Sequence, residues 1–133
     1  MDDLPVDILG NTLLLGDKVV CDRGGPYTVI DICWNKFARL ESPSGSDSRL
    51  ISSKYVLRAD SIDHSTLQVN DVVFLYDWFY LGLVVEVSDK VVFRKFSKSN
   101  MTVSCSIEHV CKVSANKVLL AMISGVPSVK YNA

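Results

Sequence analysis

The chain lacks the features that would assign it to several large classes of protein. No apolar stretch approaches the roughly 18 to 20 residues needed to cross a bilayer as a helix. An excess of one charge is missing too: 14 Lys and Arg stand against 15 Asp and Glu, a formal net charge of −1. That balance excludes the broad basic surface that drives sequence-independent binding to nucleic acid, so any such binding must come from a local patch. The four cysteines, Cys21, Cys33, Cys105 and Cys111, contain no Cys-x-x-Cys pair. Each lies in or beside a hydrophobic run, and they read as buried thiols of a reducing cytoplasm. Cys105 and Cys111 flank His109, but structural zinc needs four well-spaced donors, and Cys21 and Cys33 supply no knuckle. Paired acids, a glycine-rich phosphate loop and a nucleophile elbow are also missing. The chain is therefore expected to be no enzyme and to hold no cofactor or metal. Met1-Asp2-Asp3 is acidic where a secretion leader carries cations, so the expected location is cytoplasmic, with no membrane partner.

What the chain does have is an internal echo. Shifted by 54 residues, Leu15-Gly16-Asp17-Lys18-Val19-Val20 falls on Val69-Asn70-Asp71-Val72-Val73-Phe74, and Lys54-Tyr55-Val56-Leu57-Arg58 falls on Glu108-His109-Val110-Cys111-Lys112. Between these anchors Ile30-Asp31-Ile32 matches Val85-Glu86-Val87 after a one-residue slip. Two copies of one small unit explain both matches, with domains expected at residues 1–62 and 63–133. With 48% hydrophobic and 22% charged residues the chain lies far from the disordered range and should fold.

Period-2 alternation predicts which residues face inward. In the first copy these are Val19 and Cys21, then Ile30 and Ile32, with Asp31 left in water. Asn35-Lys36 reads as a tight turn into Phe37 to Glu41. Ser42-Pro43-Ser44-Gly45-Ser46-Asp47-Ser48 reads as a polar loop with no apolar anchor, the most mobile part of this half. Leu50 to Leu57 closes the unit, and Arg58 to Gln68 serves as the linker. In the second copy Val73 and Leu75, then Leu83, Val85 and Val87, then Val91 and Phe93 are expected inside. Asp7-Ile8-Leu9-Gly10-Asn11, ahead of the first copy, reads as a short turn. Short strands with polar turns predict an all-β chain of two small, strongly bent antiparallel barrels. The apolar C-terminal segment, Lys117 to Ile123, fits either a buried strand or one short helix.

The string Gly16-Asp17-Lys18-Val19-Val20, followed by Thr28-Val29-Ile30-Asp31-Ile32, resembles the opening of SH3-like barrels of the KOW and Tudor type. Gly82 before Leu83-Val84-Val85 stands where that pattern often has glycine, whereas Asn70 replaces a glycine the family prefers. The lead-in Asp7 to Asn11 followed by Leu15-Gly16-Asp17 is also similar to small regulatory proteins of tailed phages built on such barrels. The likeness covers roughly residues 7–60 and, more loosely, 67–113. It implies two tandem SH3-like barrels in a non-enzymatic, phage-encoded regulator that associates with DNA or a transcription complex in the host cytoplasm.

Two constellations could carry recognition. Tyr76-Asp77-Trp78-Phe79-Tyr80 places four rings in the first loop of the second copy, more than so small a barrel can bury. Such rings stack on bases, enclose a cation or anchor a protein partner. The competing reading is a seam between the barrels or a closed barrel mouth. Lys90-Val91-Val92-Phe93-Arg94-Lys95-Phe96-Ser97-Lys98 gathers four cations with no acid among them, so that Lys90, Arg94, Lys95 and Lys98 could meet phosphates while Phe96 stacks. Here the competing reading is a charged edge strand that deters edge-to-edge pairing. Lys36 and Arg39, beside Phe37, echo the patch in the first copy. The expected partner is DNA or a nucleoprotein complex, or alternatively a host protein that the module inhibits or redirects. The expected state is a monomer or weak homo-oligomer, with Val118 to Ile123 available as a subunit contact.

Overall fold

In the computed structural model, which describes residues 4–76, 80–96 and 101–126, the chain divides into two compact units, Met1–Asp60 and Ser61–Ala133. Unit 1 holds β1 (Lys18–Cys21), β2 (Gly24–Cys33), β3 (Phe37–Glu41), β4 (Ser48–Ser52) and β5 (Leu57–Arg58). Unit 2 holds β6 (Val72–Leu75), β7 (Tyr80–Val87), β8 (Lys90–Lys95), β9 (Thr102–Ser106), β10 (Val110–Lys112) and one helix, α1 (Ala115–Ile123). The protein is thus mostly β. Its two five-stranded antiparallel sheets run β4-β3-β2-β1-β5 and β9-β8-β7-β6-β10, the same order once each strand is matched to its repeat. A 3-10 turn precedes the last strand in both, Ser53–Tyr55 in one and Ile107–His109 in the other.

The echo in sequence is an echo in hydrogen bonding. Gly16 (φ 89°) and Asn70 (φ 75°) both sit in the left-handed region, which glycine enters freely and asparagine more readily than most residues. This explains why Asn70 can stand in a glycine's place. The Gly16 N–H donates to Val29 O at 2.8 Å and the Asn70 N–H to Val84 O at 2.9 Å. Asp17 Oδ2 accepts the Leu14 N–H at 2.8 Å, and Asp71 Oδ2 accepts the Gln68 N–H at 2.7 Å. Each of these acids then faces the matching cation near the end of its unit: Arg58 Nε lies 4.0 Å from Asp17, and Lys112 Nζ 3.1 Å from Asp71.

Both second strands carry a bulge at the matching place. Pairing passes from Val29 opposite Leu40 to Asp31 opposite Arg39, and from Val84 opposite Phe93 to Glu86 opposite Val92, leaving Ile30 and Val85 as the extra residues. An added residue reverses the faces of everything before it. The simple alternation therefore fails here: Ile30 and Val85, expected inside, are 41% and 45% exposed, while Val29 and Val84 are buried. Ile32, Leu83 and Val87 are half-buried. Val19, Cys21, Val73, Leu75, Val91 and Phe93 are buried as the alternation predicts, and so are Val20 and Phe74 on the opposite faces of β1 and β6. The core of unit 2 is built on Val73, Leu75, Val84, Val91, Phe93 and Val110. Gly82 belongs beside it because a Cβ there would collide with the Phe93 ring and come within 3.1 Å of Arg94 O.

The lead-in is more than a turn. Gly10 supplies a positive φ of 84°, and the buried Asp7 carboxylate accepts the N–H groups of Leu9 (2.9 Å) and Asn11 (2.8 Å) on Oδ1. Its Oδ2 accepts Asn11 Nδ2 (3.0 Å) and the N–H of Arg58 (2.9 Å), which fastens the start of unit 1 to its last strand. Burial raises the Asp7 carboxyl above its ordinary pKa, against the downward pull of those four bonds. The serine loop is likewise tied down by polar bonds in place of the apolar anchor it lacks. Ser42 N–H donates to Asp47 O at 2.8 Å, and the Asp47 carboxylate takes Arg23 Nη1 at 2.7 Å and the Tyr27 hydroxyl at 3.0 Å. Cys21 is buried, but Cys33, Cys105 and Cys111 are only half-buried, and all four are free thiols. The C-terminal segment is a helix. It ends where Gly125 (φ 73°) lets its own N–H reach Met122 O and the Val126 N–H reach Ala121 O, each at 3.1 Å, closing the last turn. Val118 and Ala121 are buried, while Leu119, Leu120, Met122 and Ile123 are exposed.

Candidate functional site

Strand β8 sorts its cations by parity. Lys90, Val92 and Arg94 share the outward face, Val91 and Phe93 the inward one, and Lys95 falls on the inward parity at the strand's end, where it is half-buried. Across the ladder Arg94 lies opposite Leu83 and Thr102, Val92 opposite Glu86 and Ser104, and Lys90 opposite Ser106. The cations are therefore not without an acid, because pairing with β7 brings Glu86 onto the face that carries Lys90 and Arg94. The strand is also not an edge: β8 lies between β7 and β9, so its charges do not serve as a guard against edge pairing. Phe96, half-buried, donates its N–H to Leu81 O at 3.0 Å. Lys98 lies outside the described residues.

The first copy does not repeat this face. Arg39 lies opposite Asp31 on β2 and Leu50 on β4, and Lys36 is exposed on the β2–β3 turn rather than in line with it. The other arginines of unit 1 are committed to ion pairs, Arg23 with Asp47, Arg49 with Asp22 and Arg58 with Asp60. The bond from Arg23, with the Tyr27 hydroxyl second, holds Asp47 below the usual carboxylate range.

Of the aromatic constellation, Trp78 and Phe79 lie outside the described residues. Tyr80 opens β7 opposite Leu75, and its side chain is likewise outside what the structure describes. Tyr76 is half-buried and engaged within its own unit. Its ring meets Phe74 edge-on, with centroids 5.9 Å apart and planes at 81°. Burial pushes the Cys111 thiol up to about 11, with a hydrogen bond to Tyr76 pulling the other way.

Sequence reasoning missed Trp34. The β2–β3 turn is made by Trp34 (φ 52°) and Asn35 (φ 56°), both left-handed, and Trp34 is 77% exposed. Phe37 supports it edge-on with centroids 6.0 Å apart. Three residues, Trp34, Asn35 and Lys36, separate the paired Cys33 and Phe37, and left-handed turn positions favour Asn and Gly, so the available signal was the Trp-Asn pair between two alternating runs. Beside this turn lies a groove of about 420 Å³ bordered by Leu4, Val6, Lys36, Phe37, Ser53 and Lys54. Among the described residues no group of three or more His, Cys, Asp or Glu could hold a metal ion, and no helix is long and apolar enough to cross a membrane. Neither a protein-family model nor a curated protein sequence matches this chain.

Proposed function

We propose that the chain is a non-catalytic binding module of two SH3-like barrels of the KOW and Tudor type, and that the outer face of β8 meets the phosphates of DNA or of a nucleoprotein complex. The observation that carries this reading is the position of the basic strand inside its sheet, where edge protection does not account for Lys90 and Arg94 standing on one face. The barrel assignment is supported by the shared strand order and by the 3-10 turn before each last strand. The likeness of the lead-in and repeats to small regulators of tailed phages supports a partner in transcription.

The test is fluorescence anisotropy with labelled duplex and single-stranded oligonucleotides over a salt series. Replacing Lys90 and Arg94 together by Ala should weaken binding and flatten the slope of log K against log salt by about 0.9 for each phosphate no longer neutralised. Glu86→Gln should tighten binding by relieving repulsion on the same face. An undetectable interaction with DNA and RNA at low salt, or a salt slope indifferent to the double change, defeats the reading.

A further inference from the structure

We infer that unit 1 carries a second, separate docking site, and that the groove beside the β2–β3 hairpin takes an extended peptide segment of another protein bearing acidic and apolar side chains. The charge of the groove argues for this occupant. Residues 1–60 hold nine Asp and Glu against seven Lys and Arg, yet among the described residues the lining of this groove contains two lysines, Lys36 and Lys54, and no acid. Both lysines are exposed, and the Ser53 N–H bonded to Lys36 O at 2.9 Å holds their two segments together. The lining also includes Leu4 and Val6, the latter fixed by its bridge to Thr12.

The remaining surface supplies the apolar half of the ligand. Leu4 and Asn35 also border a second groove of about 550 Å³, whose walls add Leu14, Leu15 and Ile32, with Asp31 as the one charge among the described residues. Leu14 and Leu15 are both exposed. A peptide crossing the pair of grooves would set carboxylates over Lys36 and Lys54 and aliphatic or aromatic side chains toward Leu4, Leu14 and Leu15. Ser52, the last residue of edge strand β4, borders the first groove, so an extended segment can run beside a sheet edge. Two cations in a lining shared with Leu4, Val6 and Phe37 suit such a peptide better than a nucleic-acid backbone, which needs a longer row of positive charge. Trp34 marks the margin of the site. A bulky residue held left-handed is conformationally disfavoured, and here it stands in solvent beside Phe37, a residue of the groove wall.

A random octapeptide display library selected on the full chain tests this. Enriched sequences should combine Asp or Glu with Leu, Ile, Phe or Trp. With Trp78→Phe, Trp34 becomes the sole tryptophan, and synthetic copies of the enriched peptides should shift its emission. K36E/K54E should lower their affinity about tenfold or more, while K90A/R94A leaves it unchanged. The neutral pair K36Q/K54Q, whose fold is checked by circular dichroism, should give an intermediate loss. Enriched peptides without acids, no enrichment at all, or binding indifferent to both lysine pairs overturns the inference. So does a result in which single-stranded DNA occupies the Lys36 and Lys54 surface and the acidic peptides do not.

Discussion

Replacing Asp7 by Asn changes one atom of the side chain, yet it should cost unit 1 much of its stability. Oδ1 accepts two N–H groups, from Leu9 and Asn11, and Oδ2 accepts two more, from Asn11 Nδ2 and Arg58. Whichever way an amide is turned, its NH₂ meets two donors where it needs acceptors. At least two polar groups are then left facing each other in a buried place, and each buried donor without a partner costs about 1–3 kcal/mol. Relief of the carboxylate's burial offsets part of this, so the net loss should be near 3 kcal/mol. A unit of this size holds about 3–9 kcal/mol in all, which puts the variant at the margin of folding. Urea unfolding followed by Trp34 emission in a Trp78→Phe background reports on unit 1 alone. An Asp7→Asn chain that unfolds within about 0.5 kcal/mol of its parent would show that the carboxylate does not fasten Arg58 to the lead-in.

Three further changes probe the frame. Gly16→Asn copies the residue used at Asn70 and should be nearly neutral, whereas Gly16→Ala should cost about 1–2 kcal/mol through its φ of 89°, since a Cβ there meets nothing within 4 Å. Thermal melts separate the two. Gly82→Ala should destabilise unit 2 by about 1–3 kcal/mol through overpacking against Phe93, and a double-mutant cycle with Phe93→Leu should recover part of that loss; strict additivity would remove the steric explanation. Asp47 has a lowered pKa, so its contribution is present above the ordinary carboxylate value and lost as pH falls through the lowered one. Arg23→Gln should therefore shift the urea midpoint at neutral pH, and the gap from the parent should close in acid.

The residues that repeat were legible because their roles are local. A left-handed position followed by an acid that caps its own turn leaves the same mark at Gly16-Asp17 and Asn70-Asp71. The faces of β2 and β7 were not legible, since a bulge is a property of pairing between strands, and nothing in Val29-Ile30-Asp31 alone shows which residue is the extra one. For the same reason the β8 cations looked unopposed in sequence until the register brought Glu86 beside them. Trp34 escapes a sequence reading that places Asn35-Lys36 in the turn but starts it one residue late. The role of Asp7 depends on Arg58, 51 residues away, a distance over which no periodic pattern speaks.

Every bond of the turn frame begins and ends within its own half: Gly16 with Val29 and Asp17 with Leu14, then Asn70 with Val84 and Asp71 with Gln68. Scaffolding so self-contained lets each half be redecorated alone. One can acquire a tryptophan-tipped hairpin and the other a cationic ribbon and a trailing helix, with no donor stranded next door by the change. A single repeated plan thereby carries a different surface on each of its two copies.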